Sequence, residues 1–173
     1  MTISMYQASV PPFIRALNNL AAILEKGAAH SQARKIDETV LLNSRLYPDM
    51  FPLTRQVQIA TDTARSGAGR LASVDFPSYE DKEATFHDLV QRIRNTIAYL
   101  ESLKPAQVDG SEEKTIAWQT RSSSKSMPGL PYLMSHLLPN IHFHVTTAYA
   151  ILRHNGVGLG KMDFIGSLPI NDA

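Results

Sequence analysis

The most regular run of apolar positions lies between Phe86 and Leu103, where Phe86, Leu89, Val90, Ile93, Ile97 and Leu100 recur at steps of three and four. That period gathers them on one face of a helix, which Pro105 closes. A second stripe, Leu53, Val57, Ala60, Ala64 and Leu71, predicts a helix over 53–71. Its small Ala60, Ala64 and Ala68 let a neighbouring helix come close, while Gly67 and Gly69 predict fraying near its end. Towards the N-terminus, Ser4 with Gln7 has the spacing of a capping box, and Phe13, Leu17, Leu20 and Leu24 form another buried stripe. Pro11 and Pro12 lack backbone donors and predict a kink or a restart there. Gly27 is the expected end of that helix and 28–36 a connection, with Asp37 capping a short helix over 38–43. Pro48 and Pro52 keep RLYPDMFPL irregular.

Beyond Pro105 the period is lost. Residues 106–130 contain Asp109-Gly110, the run TIAWQT, several serines and Pro128-Gly129, which predict a long excursion with one or two short strands. Ile116 and Trp118 would share one face of it. A short helix, PYLMSHLL, and a main helix from Pro139 to His154 follow, ended by Asn155-Gly156. The run GVGLGK has the glycines of a phosphate loop but follows a helix, so it reads as a helix stop and a tail connection. The expected fold is mostly α, a four-helix bundle with a short β excursion between helices 3 and 4, forming a single domain over 1–173.

Composition narrows the function. The 173 residues are 43% apolar, enough for a continuous core, and carry 17 basic against 16 acidic side chains with no long block of one sign. A nucleic-acid partner calls for a basic face, so none is expected. The absence of cysteine removes disulfides, thiolate nucleophiles and cysteine-bound zinc. No segment approaches the ~20 apolar residues that span a bilayer, and the N-terminus lacks a secretory signal. A cytoplasmic protein without membrane partners is the expectation.

Candidate chemistry sits on the last helix. At about 100° per residue, Ile141, Val145, Ala148 and Leu152 point into the core, and Asn140, His144, Thr147 and Ile151 line its edge. Asn140 and His144 are one turn apart and can reach a common ligand. His142 points about 200° from Asn140 and serves no site with His144.

The segment PNIHFHVTTAYAILRHNGVGLGKMDFIG, with RLYPDMFPLTRQVQIATD and FPSYEDKEATF before it, resembles signatures of an uncharacterised branch of the DinB/YfiT-like superfamily. The resemblance covers nearly the whole chain. It implies an antiparallel four-helix bundle, often a homodimer. In better-studied relatives three histidines hold a divalent metal such as zinc or nickel, one on the second helix and two a turn apart on the last. Some of those relatives transfer or isomerise small thiol cofactors. Here His144 matches the second histidine of the final pair, Asn140 stands at the first, and helix 53–71 contains no histidine. Gln56 is the nearest polar residue on that helix, and Asp49 would add a carboxylate if its loop folds over the bundle end.

The expected site is therefore a small-molecule pocket of Asn140, His144, Gln56, Asp49 and Thr147, with His144 as the candidate catalytic base and the 106–130 excursion as a lid. One imidazole with two amides is a weak metal site. A metal-dependent thiol-cofactor transferase or isomerase, and a purely structural or partner-binding dimer, are the alternatives.

Overall fold

The structure, a computed structural model, describes residues 2–120 and 122–168. Helix α1 (Met5–Arg34) starts at the expected cap: the Gln7 N–H donates to Ser4 Oγ, and the Ser4 N–H donates back to Gln7 Oε1. It then passes through Pro11 and Pro12 without a break. Burial of Met5, Val10 and Phe13 on either side holds the helix where the prolines withhold two donors. Gly27 does not end it. A Cβ there would lie 3.0 Å from the Phe86 ring and 3.2 Å from Leu152, so this glycine lets two helices approach. Residues 28–34, expected as a connection, are helical, and the stop comes at Lys35 in the left-handed conformation.

Asp37 caps α2 (Glu38–Leu42), accepting from the Thr39 N–H at 2.9 Å. The 45–52 segment is irregular, as its prolines predict. In α3 (Leu53–Ala72), Leu53, Val57, Ala60, Ala64, Ala68 and Leu71 are all buried. The helix continues past both glycines to Ala72. Gly67 and Gly69 are buried against Leu137 and against Phe76 with Tyr99, so both glycines serve packing. Helix α4 (Phe86–Ser102) has a capping box of Thr85 and Asp88.

After α5 (Pro105–Val108), strands β1 (Thr115–Gln119) and β2 (Ser124–Pro128) pair antiparallel, with Ile116 opposite Met127. Ile116 is buried and Trp118 partly so, the shared face the alternation predicts. From α6 (Gly129–Pro131) the chain runs through a π-helical stretch, Tyr132–Leu137, straight into α7 (Leu138–His154). The two helices expected here are thus one, and wider hydrogen bonding such as Leu138 N–H to Leu133 O carries it up to the donorless Pro139. Gly156 ends α7 with φ 88°, and α8 (Lys161–Ile165) is the last of the described helices.

The directions of the long helices follow from their contacts. Gln56 meets His144, Thr63 meets Asn140 and Gly67 faces Leu137, so α3 and α7 are antiparallel. Thr61 meets Arg92 and Gly69 faces Tyr99, which makes α3 and α4 parallel. Helix α1 runs with α7 and against α4, bringing Gly27 to both Leu152 and Phe86. The result is a bundle of two antiparallel pairs, α1 with α4 and α3 with α7. Because α3 and α4 are parallel, residues 73–85 must travel back along the bundle to join them. Among the described residues, no helix is long and apolar enough to cross a membrane.

Candidate functional site

The apolar stripe of α7 fixes the site by fixing the helix rotation. With Ile141, Val145, Ala148 and Leu152 in the core, His144 comes to its edge, 8% exposed and facing the first turn of α3. There Gln56 is 1% exposed, and its Oε1 lies 2.7 Å from His144 Nδ1. Gln56 Nε2 donates to Phe51 O at 2.9 Å, which orients the amide so that its oxygen faces the imidazole. An oxygen can only accept, so Nδ1 carries the proton. In the neutral ring Nε2 is then left with a bare lone pair. Nε2 has no hydrogen-bond partner among the described residues and is not sealed from solvent.

Burial, helped by the positive charge of Arg55, holds the His144 pKa below its usual 6.5. Burial and Arg70 push His136 the same way. The unfolded chain therefore binds more protons than the folded one just below pH 6.5, and stability rises with pH across that window. Urea midpoints should be level above pH 7 and fall as pH drops through 6.5 towards the lower folded values. His144→Gln should flatten that fall; an unchanged slope in the variant would remove His144 from the linkage.

The other candidates are placed differently. Asn140, half-buried, accepts from Thr63 Oγ1 at 3.2 Å, one turn along α7 from His144. Thr147 is buried but donates back to Phe143 O at 2.8 Å, within its own helix. Asp49 is exposed on the 45–52 loop, while the charge acting on His144 is that of Arg55. The structure thus pairs His144 with Gln56, keeps Asn140 on the same α3–α7 seam, and leaves Asp49 in solvent.

The implied metal does not fit these donors. Gln56 uses its oxygen on His144 and its nitrogen on Phe51, and Asn140 Oδ1 already accepts from Thr63. One free imidazole nitrogen remains, too little for zinc or nickel. Among the described residues, no group of three or more His, Asp or Glu side chains could hold a metal ion.

The excursion is not a lid over His144. Lys114 Nζ donates to Arg70 O and Leu71 O at the far end of α3, and Trp118 stacks on His136 with ring centroids 5.2 Å apart. From Gln56 to Arg70 is about 21 Å along the helix axis. The hairpin packs on the opposite end of the bundle.

A second polar centre escaped the sequence reading. Arg92, 4% exposed, donates through Nε to Thr61 Oγ1 and pairs with Asp62 and Glu83, each at 2.8 Å, and with Asp81 at 3.1 Å. Burial alone would lower its pKa, but these carboxylates outweigh it and raise the guanidinium above its ordinary value. Arg65 pairs with Asp62 at 2.7 Å and lies 4.4 Å from the centre of the Tyr79 ring. The crossover segment 73–85 supplies Tyr79, Asp81 and Glu83, and Asp81 also holds Arg55 at 2.5 Å. One signal was available: Arg92 falls on the buried stripe, three residues after Leu89 and four before Thr96. A cleft of about 450 Å³ opens beside Arg92, lined by α4 and the crossover segment and by nothing from α3 or α7.

Residues 5–165 match the model of a family described as Domain of unknown function (DUF1993). The fold is similar to the 1.83 Å crystal structure of a DinB family member protein from Shewanella denitrificans. The two are 41% identical, the match covers 97% of this chain and 95% of that one, and the TM-score is 0.88. None of the curated proteins matches the chain.

Proposed function

Since the chain belongs to the DUF1993 family and folds as a DinB-like helical bundle, we propose that it binds, and acts on, a small molecule at the His144 edge of α7 without a resident transition metal. The observation that carries this reading is the oriented imidazole. His144 is buried, kept neutral, and held by Gln56 in the tautomer that leaves Nε2 a free base. That group accepts a proton or a hydrogen bond from a ligand O–H, N–H or S–H near neutral pH. Asn140 lies one turn away on the same helix, bonded to Thr63, and the charge of Arg55 acts on the ring. The donor set speaks against a metal-dependent thiol-cofactor transferase or isomerase, whose metal needs more nitrogen or carboxylate ligands.

A fragment screen by ligand-observed NMR on the untagged protein tests this. Fragments with a polar hydrogen should bind the native protein and lose at least tenfold in affinity to His144→Ala, while helicity and cooperative melting persist. Fragment binding that ignores the substitution would remove His144 from the site. Stoichiometric zinc or nickel retained through dialysis would overturn the metal-free reading.

A second reading is favoured by the exposed aromatic residues near the site. Phe51 and Phe143 are 55% and 56% exposed, large apolar surfaces of the kind that copies of a chain bury against each other. We assign that surface to a homodimer of a cytoplasmic protein, over a single domain spanning the chain.

A further inference from the structure

The C-terminal strap leaves a second cavity that the reading above does not use. Arg15 on α1 donates from Nε and Nη2 to Ile165 O and from Nη2 to Ser167 O, and Asn19 Nδ2 donates to Phe164 O. These bonds tie residues 164–167 across α1. Lys26 and Asp163, paired at 2.5 Å, hold the strap further along. Between the strap, α1 and α7 remains a cavity of about 350 Å³, with walls that include Ala16, Val145, Phe164 and Leu168. Among the described residues, its polar lining consists of Arg15, Asn19 and His142, with no carboxylate. Arg15 Nη1 has no hydrogen-bond partner among the described residues. Leu168 lines the cavity yet is 45% exposed, an apolar surface that a bound apolar group would cover.

We propose that this cavity is a binding site for a small amphiphilic carboxylate, its apolar body against Phe164 and Leu168 and its charged head at Arg15 and His142. The volume falls within the range of small-molecule pockets, which are mostly apolar with a few polar groups that orient the ligand. Arg15 is always charged, and its Nη1 keeps two N–H groups to donate to a carboxylate while Nε and Nη2 hold the strap. The described lining holds no acid to repel an anion, and a cationic head would meet Arg15 unfavourably. The site lies on the α1–α8 side of α7, where His142 points, away from the α3 side that carries His144.

Octanoate is the probe, titrated into the isotopically labelled full chain and followed by backbone NMR, with octanol and octylammonium as controls. The expected result is saturable shifts at Ala16, Phe164 and Leu168, with octylammonium binding at least tenfold more weakly. Ala16→Phe, which fills the cavity, should abolish the shifts, and Arg15→Gln should weaken octanoate about tenfold while sparing octanol. His144→Ala should leave octanoate binding unchanged, so failure here and failure at His144 are separable. Octanoate shifts that scatter over the surface, or that survive Ala16→Phe, would overturn the site. Equal losses of octanoate and octanol in Arg15→Gln would overturn the assignment of the head group.

Discussion

Arg92→Met is expected to destabilise the protein by about 3 kcal/mol, the lower end of the range for removing one partner of a buried ion pair. The lower end applies because Asp62 and Asp81 are 35% and 44% exposed and keep Arg65 and Arg55 as partners. Glu83 is the carboxylate left stranded. It is 10% exposed and would retain only the Gln58 amide, which donates at 2.7 Å. Thermal melts should show a midpoint lowered by roughly 6–12 °C for a chain of this length. Adding Glu83→Gln to Arg92→Met should restore part of the loss, because the stranded charge is gone. A double variant no more stable than Arg92→Met would show that the pair is not what couples the crossover segment to α4.

An effect of similar size is expected at Gly129, for a steric reason. Its backbone lies so close to the Ser111–Glu112 turn that a Cβ would stand 1.9 Å from Ser111 O, and Leu130 N–H donates to Glu112 O at 2.9 Å. A carbonyl oxygen on the backbone cannot swing aside as a side chain can. Gly129→Ala must therefore displace either the turn or the start of the helix that carries Tyr132, at a cost of about 3 kcal/mol. Gly158→Ala is the control: nothing lies within 4 Å of its added Cβ, and its stability should match the native protein within about 0.5 kcal/mol. Denaturant midpoints of the two variants side by side decide the matter. If Gly129→Ala unfolds with the control, the turn is looser than this packing implies.

What the sequence made legible was local. Ser4 with Gln7, Asp37, and the stripe from Phe86 to Leu100 each carry their own signal, in a cap or a period, and each sits where that signal puts it. At Pro11, Pro12 and Gly27 the usual local effect is overruled by neighbours distant in sequence or buried alongside. The prolines are held in helix by burial on either side, and the glycine admits Phe86 and Leu152. The edge position of His144 followed from helix rotation alone. The orientation of its ring did not, since that depends on Phe51 fixing the Gln56 amide. The Arg92 cluster is hidden from sequence because two of its three acids, Asp81 and Glu83, come from a crossover segment without period. The end that the hairpin covers is hidden because spacing does not say which end a loop reaches.

The pairing of the helices bears on how quickly the chain can find its fold. Neither antiparallel pair joins sequence neighbours: α1 waits for α4 and α3 waits for α7, with whole helices intervening in each case. A local helical hairpin, the usual first contact of an up-and-down bundle, is not available to nucleate assembly. The early contacts must close long loops against chain entropy, so this mostly helical bundle should fold more slowly than a simple bundle of equal length. Its topology gives a helical protein some of the kinetic character of a sheet.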